Sequence, residues 1–68
     1  MKKYYVNKDA QANGDHEVHH QYCIWLPAEE NRKELGGFSN CFDAVVEARK
    51  YYHQVNGCKT CLRECHSG

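Results

Sequence analysis

Cys58-x2-Cys61-x3-Cys65-His66 gathers three thiols and an imidazole within nine residues. A two-residue gap lets the chain curl two sulfurs toward one point, and thiolates with imidazole are the donor set of tetrahedral zinc. The spacing therefore predicts a zinc site at Cys58, Cys61, Cys65 and His66. Cys65 and His66 are adjacent, which strains a single centre, so Cys23 or a histidine of the preceding β segment can stand in for one of them. The same cysteines have two other uses. One is a disulfide, between tail cysteines or between Cys41 and Cys23, which would staple a marginal core. The other is free thiols.

Three further patterns are weaker on physical grounds. His16-Glu17-Val18-His19-His20 matches H-E-x-x-H, a zinc-protease pattern that works only on a helix. On a strand, His16 and His20 stand roughly 13 Å apart, too far for one metal. The Cys58-x2-Cys61 pair follows a predicted helix C-terminus, where the helix dipole disfavours a thiolate, so a thioredoxin-like use is disfavoured. Cys61-x3-Cys65-His66 is one residue too long for c-type haem attachment.

The elements that must position these groups follow from patterning. Tyr4, Tyr5 and Val6 start a β segment, and Asn13-Gly14 supplies the positive φ of a hairpin turn. A second strand is expected from about His16 to Leu26, with Val18, Tyr22, Ile24 and Leu26 on one face and Cys23 and Trp25 on the other. A bulge near Gln21 would exchange those faces, so the parity stays open. Arg32 to Phe38 forms a third strand, bent or weakened by Gly36-Gly37. Asn40 and Asp43 make a capping-box-like start for a helix over 41–55, with Asn56-Gly57 as its stop. Cys41, Val45, Ala48, Tyr52 and Val55 line its inner face. A continuous helix would hold Cys41 roughly 20 Å from the tail, out of reach of its metal.

The expected fold class is α+β: a small antiparallel sheet of about three strands packed by one C-terminal helix, order β-β-β-α, then a Cys-rich tail. It forms a single domain over 1–68, β-rich over 3–38, helical over 41–55, with the tail over 57–68. At 68 residues the core is small, and a disulfide, a metal or a partner would compensate. A homodimer is expected from geometry, because one helix leaves a sheet face and both edges uncovered. Nine basic and nine acidic residues cancel, which weighs against nucleic acid and anionic membranes as partners. No long apolar run and no signal-like h-region follow Met1-Lys2-Lys3, so a cytoplasmic setting is expected, where thiols favour metals over disulfides.

The segments YYVNKDAQANGDHEVH, LGGFSNCFDAVVEARKYY and NGCKTCLRECH together resemble a family of short uncharacterised bacterial proteins. That resemblance implies a small cytoplasmic single-domain protein with structural roles for several of Cys23, Cys41, Cys58, Cys61, Cys65 and His66, and it transfers no catalytic residue. LGGF before an alanine-bearing helix also resembles the strand-to-helix step of SPOR-type ββα modules, which bears on fold only. The function expected is a small non-enzymatic binding or regulatory module with a metal- or disulfide-stabilised tail. A thiol-based redox or metal-handling protein is the alternative.

Overall fold

The aromatic and β-branched run Tyr4-Tyr5-Val6 lies at the centre of β1 (Lys2–Asn7), and β2 (His16–His20) pairs with it antiparallel, Val6 opposite Val18. The structure, a computed structural model, describes residues 1–67. The connection turns over Gln11–Gly14, where the Gly14 amide donates to the Gln11 carbonyl at 2.8 Å, and of the Asn13-Gly14 pair only Gly14 takes a positive φ. Gly14 adopts φ +94°, and the Asn13 side chain accepts from the Asp15 amide at 2.9 Å. β3 (Arg32–Phe38) pairs with the other edge of β1. Tyr4 faces Gly36 and Tyr5 faces Glu34, so Leu35 is an extra residue that bulges the strand. Gly36 takes up the distortion at φ +116°, a region that L side chains rarely enter.

Asn40 starts helix α1 (Cys41–Ala48): its side-chain oxygen accepts from the Asp43 amide at 2.9 Å, and its side-chain amide donates to the Asp43 carboxylate at 3.1 Å. Cys41, Ala44, Val45 and Ala48 form its buried stripe. Ala44 and Ala48 are fully buried and carry little bulk, which lets α1 approach the sheet closely. The core joins these residues to Tyr4, Val6, Val18 and Leu35 of the sheet and to Leu62 of the tail. Full burial of Val6 and Val18 stabilises by about 2 kcal/mol each.

The architecture departs from the sequence expectation after Ala48. The helix covers 41–48 rather than 41–55, and it is not C-terminal in order. Lys50 and Tyr51 bond back only three residues, to Glu47 and Ala48, which tightens and ends the last turn. Tyr51-Tyr52-His53 are mediocre helix formers, and tertiary contacts take the segment over. The Tyr52 ring stacks on His16 at 4.0 Å between centroids, and the Gln54 carbonyl accepts from the His16 amide at 3.0 Å. Val55 then begins a fourth strand, β4 (Val55–Gly57), parallel to β2. The sheet is therefore four-stranded and mixed, order β3-β1-β2-β4, and α1 carries the chain across its face from one edge to the other.

This reversal corrects a second expectation, that Cys41 lies far from the tail. The tail returns over the start of α1, and Cys65 is disulfide-bonded to Cys41 with Cα atoms 6.3 Å apart. It also crosses β4 tightly. A Cβ on Gly57 would meet the Cys65 carbonyl oxygen at 2.8 Å and its carbon at 2.9 Å. Gly57→Ala is expected to cost about 1–3 kcal/mol through this backbone overlap, read as a lowered urea midpoint with an unchanged slope.

Candidate metal centre

His19, Cys23, Cys58 and Cys61 bring one ligand atom each into a group whose members all lie within 4.8 Å of one another. Alternation along β2 explains the first of them. Val18 points into the core with α1, so His19 projects to the opposite face, where it is 1% exposed. β2 ends at His20, earlier than the expected Leu26, and the chain turns: the Cys23 amide donates to the His20 carbonyl at 3.1 Å, and Leu26 donates to Cys23 at 3.1 Å. That turn buries Cys23 beside His19 and leaves Tyr22, Ile24 and Trp25 exposed. It also settles the open parity. Cys23 goes inward, Trp25 does not, and the regular strand pattern stops before either.

Cys58 directly follows β4, and its amide extends the parallel ladder by donating to the Val18 carbonyl at 2.9 Å. Leu62 donates to the Cys58 carbonyl at 2.8 Å, closing the turn that curls Cys61 back toward Cys58. The Cys23 and Cys58 sulfurs stand 3.9 Å apart. A tetrahedral centre with metal–sulfur bonds of about 2.3 Å has a sulfur–sulfur edge of about 3.8 Å, so this pair already has the separation that zinc needs. The Trp25 amide donates to the Cys23 sulfur at 3.4 Å.

The electrostatics point the same way. Burial holds the His19 imidazole below its ordinary range, with His20 adding to the effect and Glu17 opposing it, so the ring is neutral and able to ligate. Neither ring nitrogen of His19 has a hydrogen-bond partner among the described residues, a costly state for a buried polar group. Burial, reinforced by the nearby Cys23 and Cys58, pushes the Cys61 thiol well above its usual value. A divalent ion would displace the thiol protons on binding and give the orphaned imidazole a partner.

Of the four tail residues predicted as ligands, the structure brings Cys58 and Cys61 into the cluster. Cys65 is committed to the disulfide with Cys41, and His66 Nδ1 donates to the Gly57 carbonyl at 2.9 Å, pinning the tail along β4. His19 and Cys23 both complete the group, whereas the strain of adjacent Cys65 and His66 calls for only one stand-in, Cys23 or a β2 histidine. Parity alone does not choose the histidine: His19 meets Cys23 because β2 ends at His20 and the chain turns there. His16 lies instead against Tyr52, donating from Nδ1 to the Asn7 carbonyl at 2.9 Å. The H-E-x-x-H segment is strand β2, not a helix.

Comparison with protein-family models, curated proteins and solved structures gives no match to the chain.

Proposed function

We propose that this chain is a small non-enzymatic binding module in which one structural zinc ion, held by His19, Cys23, Cys58 and Cys61, fastens the β2–β3 connection and the tail to the sheet. The observation that carries it is the convergence of four buried or half-buried ligand atoms within 4.8 Å, three sulfurs and one imidazole nitrogen. A Cys3His set fills a tetrahedral zinc with protein atoms and leaves no open position for substrate, which supports a structural rather than a catalytic ion. Anchored through Cys23, the connection presents Tyr22, Ile24 and Trp25 at 72%, 81% and 62% exposure. Large apolar side chains grouped this way on a monomer surface are where recognition is expected.

The second reading is a thiol-based redox or metal-handling protein. It is favoured by Cys61, the most accessible of the three free cysteines, and opposed by the upward push on its thiol, which lowers the thiolate fraction available for attack. As to setting, no helix among the described residues is long and apolar enough to cross a membrane. The Cys41–Cys65 bridge suits an oxidising environment, so cysteine chemistry no longer favours the cytoplasm. Membership of the family of short bacterial proteins and pairing of two copies through a sheet edge stand as separate proposals.

Native mass spectrometry with metal analysis tests the main reading. One zinc per chain is expected, with Cys23, Cys58 and Cys61 protected from alkylation until the protein is denatured with a chelator. Cobalt in place of zinc should give the visible bands of a tetrahedral thiolate site. His19→Ala should lose the metal and His66→Ala should keep it. Zinc that exchanges within seconds, with Cys61 alkylated in the folded protein, would favour metal handling, and a chain that takes up no metal would end the zinc reading.

A further inference from the structure

We infer that Glu17 is a positioning residue for the metal centre: its carboxylate accepts a hydrogen bond from the Nε2–H of His19 and so assigns Nδ1 to the metal. The inference rests on the zinc reading above and deepens it.

Glu17 and His19 are two residues apart on β2, so they share the face opposite the core. The Glu17 carboxylate oxygen lies 3.5 Å from His19 Nε2, just outside hydrogen-bond geometry, while His19 is almost wholly buried. Cys23 follows β2 beyond His20, and Cys58 follows β4 and borders the same surface depression as Glu17. A ligating imidazole gives one nitrogen to the ion and keeps its proton on the other. The nitrogen nearest the carboxylate is Nε2, which leaves Nδ1 for the ion.

The chemistry of metal-bound imidazole calls for such an arrangement. A ligating histidine donates its second ring N–H to a carboxylate or carbonyl, which fixes the tautomer, holds the ring plane and raises the basicity of the ligating nitrogen. No hydrogen-bond acceptor engages the second nitrogen of His19 among the described residues, and Glu17 is the charged group beside it. A small closing movement of the half-buried Glu17 side chain would complete the bond. Glu17 also borders a surface depression with Trp25, Cys58, Lys59 and Thr60, and among the described residues its carboxylate has no ion-pair contact other than His19.

The test uses the full chain loaded with zinc. Nitrogen-15 NMR of the histidine rings should show His19 bound through Nδ1, with the proton on Nε2. Chelator competition should show zinc affinity falling about 10–100-fold in Glu17→Ala, with Glu17→Gln, which keeps an acceptor oxygen, lying between it and wild type. The His19 Nε2 proton should exchange faster with solvent in Glu17→Ala, a change that a purely structural loss would not produce in a protein whose circular dichroism is unaltered. Zinc bound through Nε2, or wild-type affinity in Glu17→Ala, would overturn the role of Glu17 and leave the Cys3His site standing. A wild-type chain that binds no zinc would overturn both.

Discussion

Stripping the metal from the folded protein is expected to lower its melting temperature by at least about 15 °C and to open Cys23, Cys58 and Cys61 to alkylation. An ion that binds only the folded state stabilises it by about 4 kcal/mol when present at a thousand times its dissociation constant. In a domain of this size each kcal/mol moves the midpoint by about 4 °C or more. Two features of the site make the loss felt locally. The buried His19 ring would be left with both nitrogens unpartnered, and the sulfurs of Cys23 and Cys58 would remain 3.9 Å apart with nothing between them. The connection that carries Tyr22, Ile24 and Trp25 should loosen first, because Cys23 is its anchor. Scanning calorimetry with and without chelator measures the effect, with His66→Ala as a control outside the ligand set. Coincident melts after complete metal removal would show that the ion contributes nothing to the fold.

The second large effect is expected from the Cys41–Cys65 bridge. Replacing both cysteines by alanine should cost about 3 kcal/mol, a figure set mainly by the 24-residue separation that the bond closes in the unfolded chain. Changing both avoids leaving a reactive thiol beside the metal ligands. The loss should appear as a lower guanidinium midpoint and a steeper denaturant dependence, since an unbridged unfolded chain exposes more surface. It should also couple to the metal. Cys61 and Cys65 bracket Leu62, which is buried in the core, so one short segment is tied to the cysteine–histidine cluster, to the core and to α1. Neighbouring constraints of this kind are not additive, and the bridgeless variant should bind zinc more weakly than the parent. Equal zinc affinity with and without the bridge would show that the two fastenings act independently.

Much of the sheet and the start of the helix could be read from local rules. Asn13-Gly14, the alternation around Val18, and Asn40 with Asp43 each act through groups within a few residues, and each operates in the structure as local chemistry dictates. What could not be read were the decisions taken between distant segments. Tyr52 and Val55 sit at helical spacing from Ala48 and do point toward the core, yet they do so from a turn and a strand, because His16 offers a ring to stack on and a backbone to pair with. A period of three and four residues cannot distinguish those routes. The metal site divides in the same way. The Cys58-x2-Cys61 turn is local and legible, whereas the choice between Cys65 and Cys23 depends on a bridge to Cys41 that only the reversed path of the tail permits.

The parallel ladder between β2 and β4 has a consequence for the order in which the molecule assembles. β1 and β2 are joined by a short turn and meet early, but His16 must wait for Val55, which reaches it only after α1 has crossed the sheet. Closing a loop of that length is slow compared with forming a hairpin or a helical turn. Until β4 docks, Cys58 and Cys61 are not beside His19 and Cys23, and Cys65 is not beside Cys41. In that order of assembly the chain would pass through a stage in which five thiols are free and wrong pairings outnumber the right one. An ion captured by Cys58 and Cys61 at that stage would withdraw two of those thiols from exchange and so guard the pairing of Cys41 with Cys65.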